Sequence, residues 1–517
     1  MLPSPEPLAS FTAVVNTRSS KRARLPWVVA FVLTPLACVL WFPTLGNLPI
    51  ASHDTGYHLA VGRWITERSE VPRLDPFCFG SEGLDWINHN WLSQIAIYSV
   101  YARWGLGGLQ CFRVLTLTLT LVFLSLSLRR VRAPPLISLL ILGLVGAVLL
   151  GIHQVRPRLI AFLAVSCMTW ILVRPDPEER LGRWSWCGLT LIALAMNNLH
   201  GGFVYCYLLL GADAIGTAVG SAWRRGPWLP TRARWLVGSA GVGLAGFVFH
   251  PHGFDAFLHA VHYVERLGPS VIKFTKEVRP LDFTNSWGLI LEFFLFVALV
   301  GSLWGRRPRL REVLASIGLL QLTLQMRRGL PVFLIAAAPW VAQSYRGIHA
   351  GWFARLNAAL APTHRTLAPA LVSVGLCWIT LAGWVSSPGR PNDVLDSRWS
   401  REHLPAGPAA LLQKVGGEGR VFASFSDANL LEWALYPQRR VHIDGRTDLH
   451  ARGDAFEASH RILLRYAGWH EELVGLDVEY VVLRRHLQLS RLLAERSEWS
   501  LIYADPTWLV FRKRQGS

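Results

Sequence analysis

The chain has 517 residues, of which 51% are hydrophobic and 17% are charged. Soluble domains carry about 25% charged residues, so this composition excludes an ordinary soluble protein and indicates a membrane protein. The formal net charge of +18 would suit a nucleic-acid-binding protein, but the basic residues are spaced as membrane anchors, so no nucleic acid is expected as a partner. The seven cysteines form neither a CxxC pair nor a disulfide framework.

Apolar stretches of roughly 17–25 residues are needed to cross about 30 Å of hydrocarbon. Eleven stretches approach this length, near residues 26–46, 109–128, 135–152, 159–173, 185–199, 202–222, 235–250, 287–304, 312–326, 330–345 and 367–386. Basic residues precede the first stretch, as in a signal peptide, but its length indicates an anchor that is retained. The sequence predicts a polytopic α-helical membrane protein with about eleven transmembrane helices.

The charges predict the orientation. With the N-terminal segment 1–25 placed in the cytoplasm, each of the six inner loops carries three or four arginines or lysines, as the positive-inside rule requires. These residues lie beside anionic lipid and account for most of the net charge. Arginine is far commoner than lysine, which is typical of a GC-rich bacterial genome. We predict a multi-pass protein of the bacterial cytoplasmic (inner) membrane, with the N-terminus inside and the C-terminal domain outside.

Two large outer loops, 47–108 and 251–286, interrupt the predicted transmembrane domain 26–386. The first loop contains two helical patterns, "YHLAVGRWITERS" and "NWLSQIAIYSVYARWG", which we expect to lie on the outer membrane surface. The second loop predicts a surface helix near 254–266. After a polar linker, 387–400, residues 401–517 alternate between strand and helix patterns and predict a small C-terminal α/β domain on the outer face, with strands at "VFASF", "RVHID", "VEYVVLR", "WSLIY" and "TWLVFRK".

The histidines are distributed unevenly between the two membrane faces. Of the eleven histidines before residue 390, nine fall on the predicted outer side, and Asp54 falls there too. Polar residues at membrane ends are often only interfacial, but the one-sidedness indicates a working site that faces outward.

The predicted architecture resembles the GT-C class of integral membrane glycosyltransferases, which includes protein O-mannosyltransferases, the lipid A aminoarabinose transferase and oligosaccharyltransferases. Its features are an acidic residue just after the first span, two surface helices, many further spans and a closing soluble domain. A bacterial multi-pass group with no assigned substrate, usually grouped with those enzymes, is similar in the motifs "HDTGYHLAVGRWITERSEVPRLDPF", "WINHNWLSQ", "NNLHGGF", "HPHGF", "RRGLPVFLIAAAP" and the distal "HIDGR". The resemblance covers about residues 26–345. It implies a polyprenyl-phosphate-linked sugar donor, an acceptor on the outer face, and an acidic residue in the first outer loop as base or acceptor-orienting group.

Asp54 is the residue that matches this acidic position. A carboxylate there can take the proton of an acceptor hydroxyl as the new C–O bond forms, or it can simply cap the helix that follows. Thr55 stands where many members have a second acid, so Asp54 works alone or with a partner from a distant loop. His53 and His58 are predicted to orient Asp54 or contact substrate. A divalent metal stays open as a cofactor, although no ligand spacing supports one.

Four arginines break the positive-inside pattern because they lie at outer membrane ends: Arg156, Arg158, Arg327 and Arg328. A guanidinium fork suits a lipid phosphate, and charge at such depth often marks a ligand path. We predict that at least one of them binds the donor phosphate. The alternatives are reaching toward outer headgroups, or ion pairs with loop carboxylates such as Glu265, Glu277 and Asp282.

Three further residues are predicted to contact substrate. Asn198 and His200 in "NNLHGG" suit a sugar, although such residues also end helices. Glu277 in the second outer loop is the best second carboxylate. In "HIDGRTD", Asp444, Arg446 and Asp448 favour structure or acceptor contact over catalysis.

These patterns predict a membrane glycosyltransferase that acts on the outer face, with a lipid-linked sugar donor and membrane lipids as partners. One alternative is a transporter or flippase of a lipid-linked or polar substrate, which would place polar groups at mid-membrane. The other is a non-catalytic scaffold in envelope assembly.

Overall fold

The computed structural model describes residues 17–48, 54–174, 181–383 and 405–514. His53 and the predicted linker 387–400 lie outside the described residues. The helices of the first part are α1 (Thr17–Asn47), α2 (Thr55–Arg68), α3 (Trp91–Arg130), α4 (Pro135–Gly151), α5 (Arg158–Leu172), α6 (Arg183–Leu199), α7 (Phe203–Trp223), α8 (Thr231–Ala245), α9 (Asp255–Val261), α10 (Tyr263–Arg266), α11 (Pro269–Phe274), α12 (Ser286–Trp304), α13 (Leu310–Gln325), α14 (Leu330–Ser344) and α15 (Gly351–Gly383).

Each predicted apolar stretch coincides with one of these helices, and the described parts of these helices share one continuous apolar core. Within the described residues, four segments are long and apolar enough to cross a membrane by length and composition, namely Pro26–Gly46, Trp91–Arg130, Phe203–Trp223 and Ser286–Trp304. Two shorter apolar helices, Pro135–Gly151 and Arg158–Leu172, lie among them. The protein is therefore a helical membrane protein, and the number of eleven crossings stays a prediction.

Helix α3 joins two segments that the sequence treats separately. The surface segment that begins at Trp91 and the apolar stretch 109–128 both lie in the 40 residues of α3, which are two helices that meet at a kink. Gly105, at the kink, has the non-helical angles φ 57° and ψ −150°. A residue without a Cβ adopts this conformation at little steric cost.

Helix α2 forms as predicted, but it does not lie open on a surface. Its residues Thr55–Val61 are buried, and the helix packs between α3 and a helix of the C-terminal part. Gly62 makes the packing against α3 possible, because a Cβ at this position would approach the backbone oxygen of Gln94 to 2.2 Å. The second loop forms α9, α10 and α11, which confirms a helix near 254–266.

The C-terminal part contains α16 (Ala406–Val415), β1 (Val421–Phe422), α17 (Phe425–Leu435), α18 (Thr447–His450), α19 (Ala455–Leu464), α20 (Trp469–Gly475), β2 (Tyr480–Arg484), α21 (Gln488–Ala494), β3 (Trp499–Ala504) and β4 (Trp508–Lys513). The four strands lie in the order β1-β2-β4-β3, with β1 parallel to β2 and the other pairs antiparallel. The predicted small α/β arrangement is confirmed. The segment "RVHID", predicted as a strand, is the exception. It forms only isolated β-bridges, in which Val441 pairs with one residue of each neighbouring segment.

One of those neighbours comes from the first outer loop. Val441 bridges Val421 on one side and Cys78 on the other, both in parallel. The backbone N–H groups of Phe79 and Gly80 donate to the carbonyls of Val441 and His442 at 3.0 and 2.9 Å. Residues 77–80 therefore extend the edge of the C-terminal sheet. We call α2, residues 69–90 and residues 405–514 the sheet unit, because they share one hydrophobic core.

Gly56 sets the distance between α2 and α17. A Cβ at this position would lie 2.3 Å from the backbone oxygen of Asn429, which cannot move without shifting α17. We expect Gly56→Ala to destabilise the sheet unit by about 1–3 kcal/mol, the usual cost of overpacking, and to lower the apparent melting temperature in detergent. Gly475→Ala is the matched control, since a Cβ there meets nothing within 4 Å. Equal melting temperatures for the two variants would contradict this packing.

Candidate active site

Asp54 lies at the N-cap position of α2, where the first outer loop enters the sheet unit. Among the described residues its carboxylate makes no capping bond to the helix. Instead Oδ2 pairs with Nη1 of Arg156 at 2.7 Å, and Oδ1 accepts from Nδ2 of Asn429 at 3.3 Å. Asn429 is itself held, because its Oδ1 accepts from the backbone N–H of Gly445 at 2.7 Å. The carboxylate is thus positioned from the membrane domain and from the C-terminal part together.

Arg156 lies in the turn that joins α4 to α5, Arg158 is the first residue of α5, and both contact Glu277 of the second outer loop. Arg156 Nη1 donates to the two Glu277 oxygens at 3.0 and 3.1 Å, and Arg158 Nη1 lies 3.1 Å from Oε1. One guanidinium therefore bridges Asp54 and Glu277. Burial alone would raise the pKa of Glu277, but the adjacent charges of Arg156 and Arg158 outweigh it and hold that pKa well below its usual range.

Arg328 and Arg327 follow α13 and occupy different places. The backbone N–H of Arg328 donates to the Glu277 carbonyl at 3.3 Å, and its guanidinium lies 4.5 Å from the centre of the Tyr263 ring. The charge of Arg328 also acts on Glu277 and His200. Arg327 stacks over Trp287, with 5.1 Å between guanidinium carbon and ring centre. Arg328 therefore belongs to the Asp54 cluster, whereas Arg327 faces the end of α12.

His58 and His200 lie near these arginines as neutral groups, whereas Asn198 contacts α3. Burial, and next the charge of Arg156, lower the pKa of His58 well below its usual value, while its Nδ1 lies 3.2 Å from Gln94 Nε2. Burial, then Arg328 and Arg158, lower the pKa of His200 to about 3. Asn198 Oδ1 accepts from Trp91 Nε1 at 3.2 Å, which fixes α6 against the start of α3. Neither histidine adds positive charge at neutral pH.

Thr55 bonds to the turn between α4 and α5. It is fully buried, and its Oγ1 donates to the backbone oxygen of Val155 at 3.1 Å. The position next to Asp54 therefore fixes α2 to the α4–α5 turn, and the second carboxylate of the cluster is Glu277. A guanidinium lies between the two acids, so this donor set does not suit a divalent ion bound by Asp54 and Glu277 together.

A second polar cluster fills the interior of the sheet unit. Arg446 Nη2 pairs with Asp75 at 2.9 Å and with Asp444 at 2.7 Å, while His450 Nε2 lies 2.9 Å from Asp444 Oδ1. Asp448 pairs with His259 Nε2 from α9 at 3.2 Å. The "HIDGRTD" residues therefore join three separate parts of the chain. This agrees with their predicted structural role.

The arrangement of membrane helices, surface helices and terminal sheet has the fold of the GT-C class of membrane glycosyltransferases. One similar solved structure is ArnT from Cupriavidus metallidurans in the apo state, with a TM-score of 0.52 and 15% sequence identity over 95% of this chain and 98% of that chain. Another is the archaeal oligosaccharyltransferase AglB from Archaeoglobus fulgidus in complex with an inhibitory peptide and a dolichol-phosphate. Its TM-score is 0.51, with 13% identity over 90% of this chain and 70% of that chain. No family model and no curated protein matches the sequence.

Proposed function

We propose that the protein is a membrane glycosyltransferase that moves a sugar from a polyprenyl-phosphate-linked donor to an acceptor on the outer face. The observation that carries the proposal is the cluster of Asp54, Arg156, Arg158 and Glu277, where two carboxylates and two guanidinium groups meet. A base beside a phosphate-binding group is what this reaction needs. The dolichol-phosphate in the AglB structure supports a polyprenyl phosphate in this fold.

The chemistry follows from the positions of these groups. Asp54 accepts the proton of the acceptor hydroxyl, whose oxygen forms the new bond to the anomeric carbon. The bond between that carbon and the phosphate oxygen breaks, and the electron pair leaves with the phosphate. Arg158 and Arg328 stabilise the negative charge that develops on the leaving group. Arg156 holds the unreacted carboxylate ionised and in place.

Arg158 is the best placed of the arginines for the donor phosphate. Its side chain is only 15% exposed, and its Nε is buried with no hydrogen-bond partner among the described residues. An incoming phosphate oxygen would satisfy that donor, while the paired carboxylate Glu277 keeps the guanidinium in position before the substrate arrives.

We expect Arg158→Leu to raise the KM for the lipid-linked donor about 10- to 100-fold, which corresponds to the usual 1.5–3 kcal/mol of a hydrogen bond to a charged group. Arg158→Lys keeps the positive charge but lacks the two-pronged guanidinium, so its KM should lie between those of the wild type and Arg158→Leu. Arg279→Leu is the control, because Arg279 is an exposed arginine of the same loop as Glu277 that bonds backbone carbonyls. An unchanged KM in Arg158→Leu would remove this residue from the phosphate site.

The experiment that tests the proposed function offers the purified, reconstituted protein radiolabelled polyprenyl-phosphate sugars and, separately, nucleotide sugars. We expect the labelled sugar to be released from the lipid-linked donors and not from the nucleotide sugars. This release should occur in vesicles that contain the protein and not in empty vesicles. Movement of intact donor across the bilayer without transfer would support the flippase alternative. No consumption of any donor would favour a scaffold. We also propose that the protein lies in the bacterial inner membrane with its N-terminus in the cytoplasm.

A further inference from the structure

The interior of the sheet unit gathers metal-ligating side chains from three distant segments. The Sγ of Cys78 and one carboxylate oxygen each of Glu432 and Asp444 lie within 4.8 Å of one another, and so do ligand atoms of Asp75, Cys78 and His450. All five residues are buried. Cys78 belongs to both groups, so the sulfur lies at the centre of the cluster.

His450 gives an independent indication of a missing partner. Its side chain is fully buried, and its Nδ1 has no hydrogen-bond partner among the described residues. Glu432 is 1% exposed, and its carboxylate contacts another acid, Asp444. Buried polar atoms are nearly always satisfied, and two buried acids that meet must share a proton or a cation. A cation would satisfy carboxylate oxygen, sulfur and imidazole together.

We propose that the sheet unit holds a zinc-class divalent cation with Cys78, Glu432, Asp444 and His450 as ligands. Thiolate, imidazole and carboxylate are the ligand types that zinc takes in a tetrahedral site. Binding forms the bond to Cys78 sulfur and releases the thiol proton to water, together with any proton on Glu432. This site is separate from the Asp54 cluster and does not depend on the proposed transfer reaction.

Arg446 fits the role of an outer partner for such a site. Its Nη2 contacts Asp75 and Asp444 and lies 3.4 Å from Cys78 Sγ, and its guanidinium lies 4.4 Å from the centre of the Trp86 ring. Groups that hydrogen-bond ligating carboxylates orient them and are part of most metal sites. The ligands come from residues 78, 432, 444 and 450, which explains why no local spacing motif marks them.

The rival account has no cation. Burial, and next the negative charge of Asp444, raise the pKa of Glu432 well above its usual value, so a protonated Glu432 can share its proton with Asp444. The two accounts differ for Glu432→Gln. A glutamine keeps the shape and the hydrogen-bond donor of the protonated acid, but it removes an anionic metal ligand.

The test measures bound zinc per chain and Co²⁺ uptake by the full-length protein in detergent. We expect about one zinc per chain, a thiolate-to-cobalt absorption band after exchange, and a melting temperature that chelator lowers. Glu432→Gln and Cys78→Ser should each bind less than one tenth of the zinc that the wild type binds. Cys187→Ser, which changes an exposed cysteine of α6, should bind as much zinc as the wild type. A folded wild type that takes up neither Zn²⁺ nor Co²⁺ would overturn the proposal. So would a Glu432→Gln variant that binds Co²⁺ as the wild type does.

Discussion

In the Asp54→Asn variant we expect sugar transfer to fall about 10²- to 10⁴-fold, the range that a general base contributes. Asparagine has nearly the same shape as aspartate, so α2 and its contacts with the sheet unit remain. It cannot accept a proton from the acceptor hydroxyl, and Arg156 loses the carboxylate with which it pairs at 2.7 Å. The loss should appear in kcat more than in the KM for the donor, because Arg158 and Glu277 keep their own contact.

The control for this variant is Asp282→Asn. Asp282 is a carboxylate in the same outer loop as Glu277, and it is held by Thr284 rather than by an arginine. Its replacement should leave the turnover rate unchanged. Equal rates for Asp54→Asn and the wild type would show that Asp54 is not the base, and the site would then have to be built around Glu277.

The second large effect concerns Asn429. Because its Nδ2 donates to Asp54 and its Oδ1 accepts from Gly445, the two replacements Asn429→Ala and Asn429→Asp separate two roles. Alanine removes both bonds and should lower kcat about tenfold. Aspartate still accepts from Gly445, but it places a second negative charge beside Asp54, so we expect a larger loss together with an upward shift of the acid limb of the pH–rate profile.

Comparing the two Asn429 variants shows whether Asn429 orients Asp54 or only supports the fold. If Asn429 only held Gly445 in place, Asn429→Asp would behave like the wild type and Asn429→Ala would be the impaired protein. Melting temperatures of both variants, measured beside kcat, report loss of fold separately. If Asn429→Asp transferred sugar at the wild-type rate, Asn429 would have no part in orienting Asp54.

The sequence predicted the elements well where one physical signal dominates. Long apolar runs must form helices in a bilayer, because every backbone group then finds its partner within the segment. The strands β2, β3 and β4 also follow from their patterns. The surface helix was predicted to end at Gly105, and α3 is kinked at that residue, because a glycine between two apolar patterns favours a break. Burial of α2 was missed, since its cover lies far away in the sequence.

The candidate site, like the fold, was predicted from the sequence only in part. Arg156, Arg158 and Arg328 were singled out as charges at membrane ends, Asp54 by the resemblance and Glu277 as a loop carboxylate. The structure brings these five residues together. Their roles in transfer stay predictions. Asn429 could not be found, because an asparagine inside an amphipathic helix carries no local signal of what it touches. The motif "HIDGR" was the only hint that this part of the chain approaches the first loop.

The pairing of Asp54 with Asn429 spans 375 residues, and this has a consequence for biosynthesis. Translation delivers α2 long before α17, so the growing chain carries the apolar side of α2 uncovered while the membrane helices are inserted. A ribosome that stops after α15 releases a product with no Asn429, no sheet edge for residues 77–80 and exposed apolar surface. Such a product cannot form the contact between Asp54 and Asn429, and its uncovered apolar surface makes it easy for proteases to recognise.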